Sequence, residues 1–337
     1  AVLTAAALLP LAAPAKLSAA QGQTDGAAQE ADTQDLLSIV YETVSYKDYL
    51  AAHSGAAYPD AEIRIEGGTY QSAEAGFTSE QGYEGYDGNV ALTGEEGEIT
   101  WEVTVAEAGF YQIKLDYFPM EGKGNTIERE LRINGELPFD GAQSLEFSRI
   151  WKNETGVKDD ARGNHIRPSQ IEERVWREAW CKDSSGYETD AYYFYFEKGK
   201  NTISLTSTKE PMAIGAITLK RQPQAVDYSV YYSSFKDRGI KEAVLSEPIK
   251  IQGEDAVLKS DSTLYPVNDR TSPLTEPYHP SKIRMNSIGG NNWNQTGQWI
   301  SWEVTVPEDG LYEIAVKYKQ SIKQGVTVVR SLAIDGE

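Results

Sequence analysis

The sequence predicts an all-β chain made of two tandem antiparallel β-sandwich modules, the second of them incomplete. One stretch occurs twice: ITWEVTV, AEAG and FYQIKLDY at 99–117 return as ISWEVTV, PEDG and LYEIAVKY at 300–318. Trp101 and Trp302 mark a constant offset of 302 − 101 = 201 residues. A repeat with so long a period indicates two copies of one structural unit. Period-2 alternation of apolar residues, turns containing glycine and the near absence of a helical pattern give the fold class.

Composition limits the class of partner. At 337 residues the chain has room for about two ordinary domains, in agreement with the repeat. Its 32 Lys+Arg residues against 51 Asp+Glu give a net charge of −19, which repels nucleic acid and anionic membrane surfaces at long range. The single cysteine, Cys181, excludes an intramolecular disulfide and is expected to be a small buried side chain.

The first residues have the character of a secretory signal. Residues 1–20 form a small apolar run with an Ala-Pro-Ala cleavage site at 13–15. The run is too short and too interrupted by proline to span a bilayer, so we expect export and no transmembrane segment. Residues 21–62 are predicted to be a linker followed by a short helix, whose apolar residues recur at helical spacing from Leu36 to Leu50.

Module one is predicted at 63–222 and opens with a strand in IRIEGGTY. In the next long strand, which begins near Ile99, apolar residues alternate with polar ones. This alternation indicates one face in the core and one face exposed to solvent. Asn134-Gly135 is the strongest hairpin-turn signal in the chain. The excursion, residues 137–190, is rich in charge and is expected to be ordered loop wrapped on the sandwich. Strand patterns resume in AYYFYF, TISL and MAIGAITLK.

Module two is predicted at 249–337, after a tether at 223–248. It repeats the opening strand as IKIQGEDAV and the hairpin turn as Asp335-Gly336. Module one continues well past the position equivalent to Glu337, so we expect module two to be incomplete and the chain to belong to a longer protein.

Motifs for catalysis are absent from the sequence. The three histidines are far apart and show no metal-ligand spacing, and no nucleophile, zinc-protease, phosphate-loop or dinucleotide signature occurs. The fold can bring together a pair of carboxylates for glycoside hydrolysis without any fixed spacing in the sequence. With 51 acidic residues, the sequence therefore leaves such a pair open. The repeated glutamates of the two hairpins fall where alternation places solvated charge. We therefore expect no enzyme.

A mixture of aromatic rings and planar amides stands out in module two. The segment 278–299 reads YHPSKIRMNSIGGNNWNQTGQW. An exposed ring covers the C–H face of a sugar while amides satisfy its hydroxyls. We expect Trp299, beside the core strand, to pack into the sandwich; for Trp293, composition leaves packing and ligand contact equally open. The candidate ligand-binding residues are Tyr278, Asn291, Asn292 and Trp293 in module two, and Tyr83, Tyr86 and Asn89 in module one.

These motifs resemble the β-sandwich carbohydrate-binding modules of families 6 and 35. The resemblance is carried by the opening strands, the Gly/Asn/Trp loop, the G-x-W-I-x-W strand, the V-x-V-P-x-x-G-x-Y hairpin and the closing strands, which here are Ile65 to Tyr70 and Ile251 to Ala256, Asn291 to Trp293, Gly297 to Trp302, Val304 to Tyr312, Gly199 to Leu205 and Ile214 to Leu219. It implies a jelly-roll, galactose-binding-like fold and a poly- or oligosaccharide partner.

The resemblance also implies a structural Ca²⁺ held by acids of the opening and closing strands. Module one departs from that pattern, with Gly68 at the second opening acid and Gly215 where the closing Asp would fall. Module two keeps Glu254, which is therefore the one possible calcium ligand.

The tandem arrangement also resembles the N-terminal region of large extracellular solute-binding proteins of bacterial carbohydrate ABC importers. That resemblance implies a further domain and, through it, an ABC permease as partner. We therefore expect non-catalytic carbohydrate binding by a secreted protein attached to the cell surface. Two alternatives stay open: accessory modules of a secreted glycoside hydrolase or polysaccharide lyase, and spacer domains that bind no ligand.

Overall fold

The computed structural model describes residues 43–320 and 325–335. The signal-like residues 1–20 and most of the predicted linker lie outside the described residues. Every described helix and strand belongs to one compact unit, Ser45–Glu337.

Two α-helices and twenty strands are present in the described part of the chain. The helices are α1 (Tyr46–Ala52) and α2 (Tyr228–Asp237). The strands are β1 (Ile63–Glu66), β2 (Ser72–Ala73), β3 (Thr78–Gln81), β4 (Asn89–Thr93), β5 (Gly97–Val105), β6 (Gly109–Pro119), β7 (Ile127–Ile133), β8 (Leu145–Phe147), β9 (Trp151–Asn153), β10 (Lys158–Asp159), β11 (His165–Ile166), β12 (Gln170–Glu172), β13 (Arg177–Trp180), β14 (Tyr193–Phe196), β15 (Gly199–Lys209), β16 (Met212–Lys220), β17 (Leu258–Lys259), β18 (Pro266–Val267), β19 (Ser287–Ile288) and β20 (Ile300–Ser301).

Module one is an antiparallel β-sandwich, which confirms the predicted fold class. One sheet has the order β13-β6-β16-β4-β3, with β1 also paired to β16 and β14 to β6. The other has the order β2-β5-β15-β7-β8. The apolar face of β5 lies in the core between them, where Ile99, Trp101, Val103 and Val105 are at most 3% exposed. The alternation of apolar and polar residues therefore correctly predicted which face of β5 lies in the core.

Two local details fix the strand register of module one. The indole nitrogen of the fully buried Trp101 donates to the carbonyl oxygen of Gly67 at 2.7 Å, which ties β5 to the turn after β1. Asn134 and Gly135 both have positive φ, 53° and 80°, as the predicted two-residue hairpin turn requires.

The excursion contains more regular structure than the sequence indicated, so the expectation of a wrapped loop was wrong. It forms β8 to β13, and β13 extends the first sheet along β6. Next to it, β9 and β12 pair with each other, and β9 also pairs with β17 of module two. After β8 these strands are two to four residues long and contain no fully buried residue, so they show no apolar alternation that sequence patterning could reveal.

Module two shows little strand structure in its described part. The opening strand expected in IKIQGEDAV is a 3-10 helix at Gly253–Asp255, and the long strand expected from Ile300 is limited to Ile300–Ser301. In module one, β5 is held between β2 and β15, and β1 is held by β16. Equivalents of β15 and β16 are absent from the described residues of module two, and an amphipathic strand without partners does not form a ladder.

The same hydrogen bond from an indole nitrogen recurs in module two, where Trp302 donates to the carbonyl oxygen of Gly253 at 3.1 Å although the ring is 38% exposed.

Trp101→Phe should lower the free energy of unfolding by about 2–4 kcal/mol, because it leaves a buried carbonyl unpaired and a cavity behind. Trp302→Phe is the matched control and should cost less than about 1 kcal/mol. Urea unfolding followed by circular dichroism measures both; equal costs would contradict the assignment of Trp101 to a closed core.

Candidate functional site

The candidate residues of module one lie in a small aromatic cluster on the outer side of the first sheet. The rings of Tyr86 and Trp176 are 4.2 Å apart between centroids, and the Trp176 indole donates to the backbone carbonyl of Tyr83 at 3.3 Å. Tyr86 Oη donates to Asp116 Oδ2 at 2.7 Å. The amide of Asn89 donates to the carbonyl of Gly68 at 3.3 Å. All three candidates are thus at least partly used in contacts within the protein.

Polar contacts fix the orientation of the Tyr86 ring. Arg64 donates to Tyr86 Oη at 2.6 Å and to Asp116 Oδ2 at 3.0 Å. Burial, and after it the hydrogen bond and charge of Asp116, raise the pKa of the Tyr86 phenol, which therefore stays protonated and donates. Trp176, from the excursion, is a cluster member that sequence reasoning did not select.

The two glycines at the expected calcium positions of module one have no room for a side chain. A Cβ on Gly68 would lie 2.3 Å from Cγ of Asn89, and a Cβ on Gly215 would lie 2.3 Å from Cζ of Tyr86. Asn89 and Tyr86 therefore fill the space in which acids would stand. The residues present in module one do not fit a calcium ion.

In module two the possible calcium ligand Glu254 is 6% exposed. Burial raises its pKa to about 7, with a smaller contribution from the charge of Asp255. Calcium takes six to eight oxygen ligands, commonly from several carboxylates. Within 43–320 and 325–335, no group of three or more His, Cys, Asp or Glu side chains is placed to hold a metal. The described residues therefore do not fit a calcium site here either.

Three of the four candidates in module two share one tight turn. Residues Gly290–Asn292 form a 3-10 helix that ends at Trp293. The amide of Asn292 donates to the carbonyl of Thr263 at 3.1 Å. Asn291 is exposed, and its backbone carbonyl accepts from the side chain of Asn294 at 2.8 Å.

The Trp293 ring is half-buried and is covered on one side by a cation. The guanidinium carbon of Arg330 lies 4.9 Å from the ring centroid, in cation–π range. The indole nitrogen is 3.5 Å from the carbonyl oxygen of Gln298. Tyr278 is 46% exposed, and among the described residues no hydrogen bond or ring contact connects it to the Trp293 turn. The structure thus does not bring the four candidates together.

A polar pocket of about 210 Å³ lies elsewhere, between the two modules. The wall from module one consists of the loop 124–126, Arg149 and Trp151, and the wall from module two is the segment 260–262. Sequence reasoning did not find this pocket because its walls are over 100 residues apart in the chain. The only signal was Trp151, a tryptophan in a polar, charged segment.

A buried ion pair holds the module-one wall in place. Arg149 donates to Glu210 at 2.8 Å, to Glu172 at 2.5 Å, and to the backbone carbonyls of Asn125 and Met120 at 2.8 and 3.0 Å. Its side chain is 1% exposed, and that of Glu210 is 3% exposed. A buried cation is tolerated when its donors are paired in this way.

Glu210 in turn anchors the loop that forms the pocket edge. Its carboxylate accepts from the backbone nitrogens of Lys123 and Asn125 and from the Asn125 amide, at 2.8 to 3.1 Å. Burial raises the pKa of Glu210, but the hydrogen bonds from Asn125 and Lys123 and the charge of Arg149 outweigh burial and hold the pKa below its usual value. The group is therefore held as a fixed anion.

Module two is held against the excursion by strand pairing and by stacked cations. Lys259 of β17 pairs with Trp151 of β9, and its amine donates to Asn153 Oδ1 at 2.7 Å. The guanidinium of Arg177 lies 4.9 Å from the Trp299 ring centroid. Trp299 is half-buried at this junction, so it packs between the modules instead of inside a sandwich core.

A second contact joins the excursion to module two further along the chain. The guanidinium of Arg167 lies 4.1 Å from the Tyr265 ring centroid. The backbone nitrogen of His165 donates to the carbonyl of Ile283 at 3.1 Å, and that of Met285 donates to His165 Nδ1 at 3.0 Å. The excursion is thus the element that positions module two at the pocket.

Comparison with known proteins finds only remote similarity to solved structures. No family profile matches the chain, and no curated protein matches it. The β-(1,4)-mannanase of Podospora anserina, which carries a family 35 carbohydrate-binding module, is 15% identical over 50% of this chain and 29% of its own, with a TM-score of 0.32. The family 35 module of Paenibacillus barcinonensis is 15% identical over 48% of this chain and 99% of its own, with a TM-score of 0.30.

A family 6 module of a laminarinase from Zobellia galactanivorans is 12% identical over 48% of this chain and 100% of its own, with a TM-score of 0.28. The match spans less than a third of the mannanase. Similarity this low establishes neither the fold nor the function of the chain. The fold class is therefore assigned from the strand pairing observed in this chain.

The fully buried Lys259 makes the junction sensitive to pH. Burial lowers the pKa of its amine from 10.5 to about 8. Between these values the unfolded chain binds more protons at this group than the folded chain does, so the contribution of Lys259 to stability increases as the pH rises. Lys259→Met removes this contribution.

We expect the free energy of unfolding of Lys259→Met, relative to the native chain, to fall as the pH rises from 8 to 10. Urea unfolding at pH 7, 8.5 and 10 measures it. Lys198→Met, at an exposed position, is the control and should show no such trend. A constant difference between Lys259→Met and the native chain over this range would show that the amine is not desolvated.

Proposed function

We propose that this chain binds carbohydrate without catalysis, and that the polar pocket between the modules is its principal site. The observation that carries the proposal is the lining of that pocket, which is almost wholly polar and includes Trp151. The volume of about 210 Å³ has room for one sugar-sized ring. Convergent polar groups beside an aromatic ring are what recognition of a neutral hydroxylated ligand requires.

Several polar groups of the pocket are available to a ligand. The hydroxyls of Thr126 and Ser262 make no hydrogen bond to any described residue, so each can donate to and accept from a sugar hydroxyl. Asp261 accepts from the backbone nitrogen of Thr263 at 2.7 Å through one oxygen, and its second oxygen is available. Arg149 is neutralised by its carboxylate partners, which favours an uncharged ligand over an anion.

The pocket lacks the groups that glycoside hydrolysis needs. That reaction uses two free carboxyl groups on opposite sides of the scissile bond. Asp261 is the one acid that lines the pocket, and the nearby Glu210 and Glu172 are held by Arg149. These contacts support binding without bond cleavage.

The loop cluster of module two is proposed as a secondary contact. Tyr278 and Asn291 are exposed in module two, and Trp293 offers a half-buried ring. The engagement of Tyr86 and Asn89 in contacts within module one favours the spacer alternative for that cluster. Two weak sites on one chain would raise the overall avidity for a polysaccharide.

We propose a secreted, surface-attached location and a role in an ABC sugar importer, on the strength of the sequence resemblance alone. Accessory modules of a glycoside hydrolase or lyase fit the same resemblance equally well. Among the described residues, no helix is long and apolar enough to cross a membrane.

A glycan array with the full chain, followed by calorimetric titration of the best oligosaccharide, tests the proposal. Ser262→Trp places a large side chain in the pocket and should weaken binding at least tenfold. Ser281→Trp, at an exposed position away from the pocket, should leave it unchanged. Binding to no plant or microbial polysaccharide would reject carbohydrate binding altogether.

The substitution Trp293→Ala distinguishes a principal binding site in the pocket from one in the module-two loop. If the loop is a secondary contact, this substitution should weaken binding to a long polysaccharide by a few-fold and leave the affinity for a short oligosaccharide unchanged. Full loss in Trp293→Ala with none in Ser262→Trp would move the principal site to the loop and contradict the proposed pocket.

A further inference from the structure

The pocket between the modules offers hydrogen-bond acceptors that no residue of the described chain uses. Asp261 accepts from the backbone nitrogen of Thr263 at 2.7 Å through one carboxylate oxygen, and its second oxygen is free. The side-chain nitrogen of Asn125 donates to Glu210 at 2.8 Å, which leaves the side-chain oxygen of Asn125 free. An ionised carboxylate and an amide oxygen accept but do not donate, so both select a ligand that brings N–H or O–H groups.

The charged donor in the same pocket is already used within the protein. Arg149 is the one cation among the residues that line the pocket. Four of its five N–H groups are taken, two by Glu172 and Glu210 and two by the backbone carbonyls of Asn125 and Met120. A ligand that brings acceptors, such as a carboxylate or a sulfate group, therefore finds little cationic donor capacity left.

The side chains at the pocket carry an excess of negative charge. Arg149 is bonded to two carboxylates, Glu172 and Glu210, and Asp261 adds a third that has no ion-pair partner among the described residues. Lys259 comes directly before the pocket segment of module two, and its amine donates to an amide oxygen and not to a carboxylate. Three carboxylates therefore stand against two cations, which favours a cationic ligand.

A lysine beside the pocket does not change this balance. Lys123 lies in the loop at the pocket edge, but its amine pairs with Glu95 at 2.6 Å. The whole chain has a net charge of −19. A field of this sign attracts cations at long range and repels acidic sugars.

The indole of Trp151 adds a surface that attracts both a sugar ring and a cation. A Cβ on Gly124 would lie 3.5 Å from Cη2 of Trp151, so the backbone of the loop packs against the indole and fixes it at the pocket. Aromatic faces cover the C–H groups of a sugar, and they also attract ammonium groups. A hydroxylated ring with an attached cation uses both properties.

We infer that the ligand of this pocket is an amino sugar, a hydroxylated ring that carries one protonated amine; the inference rests on the proposed binding of carbohydrate. The ammonium group would donate to the free oxygen of Asp261 on the module-two wall. A ring hydroxyl would donate to the side-chain oxygen of Asn125 on the module-one wall. Neutralisation of Arg149 disfavours an anion, and the excess of acceptors and of negative charge goes further, because it favours a cation over a neutral sugar.

Three β-(1,4)-linked tetramers, of glucosamine, of N-acetylglucosamine and of glucose, are the probes, since they differ only in the group at C2. Calorimetric titration of the full chain at pH 6, where the free amine is protonated, should give one site per chain. The glucosamine tetramer should bind at least fivefold more tightly than the other two, because a charge-assisted hydrogen bond is stronger than a neutral one. Tetralysine, a cation without sugar rings, controls for non-specific attraction and should bind more weakly than the glucosamine tetramer.

Asp261→Asn tests the contact itself, because it keeps the oxygen that accepts from Thr263 and removes only the charge. This variant should weaken binding of the glucosamine tetramer about fivefold and leave the affinity for the glucose tetramer unchanged. Asp227→Asn is the matched control: Asp227 also accepts from the backbone nitrogen two residues further on, Ser229, at 2.8 Å, and does not line the pocket. It should change neither affinity.

Equal or tighter binding of the glucose or N-acetylglucosamine tetramer would overturn the inference and leave the proposed binding of carbohydrate standing. The same holds if other glycans of an array bind and the glucosamine tetramer does not. Unchanged affinity for the glucosamine tetramer in Asp261→Asn, or equal binding of tetralysine, would show that the preference comes from the acidic surface as a whole and would also overturn it. Binding of no glycan at all would reject both the inference and the proposed function.

Discussion

The buried guanidinium of Arg149 is the contact on which the junction between the modules depends. Its partners come from three places: Glu210 in the turn between β15 and β16, Glu172 in β12, and the carbonyl oxygens of Met120 and Asn125 in the loop after β6. Removal of one partner from such a network leaves an uncompensated buried charge, which is strongly destabilising. The loop and the excursion are therefore fixed together before any ligand arrives.

The position of module two follows from that arrangement. Because β12 is held by Arg149, its neighbour β9 presents a free edge, and β17 of module two pairs with it. Glu210 has a φ of 60°, a conformation that costs energy in a residue other than glycine. Its four hydrogen bonds outweigh that cost. A preformed pocket wall of this kind reduces the ordering that a ligand would otherwise require.

The sandwich could be predicted from the sequence because alternation is a local property. Trp101 and its neighbours needed only the pattern of their own strand. The pocket could not be predicted, since Asn125, Arg149 and Asp261 meet only after the excursion has folded. Composition alone selected Tyr86 and Asn89, which instead fill the space above two glycines. The strands expected in module two could form only beside neighbouring strands. The apolar pattern of a strand does not show whether such neighbours are present.

The most direct test of the central claim is hydrogen–deuterium exchange of the full chain with and without the oligosaccharide that binds best on the array. A pocket made by both modules predicts slower exchange at 122–126 and at 260–262 together, with little change at 286–299. Protection confined to 286–299, or to one wall of the pocket alone, would contradict the account.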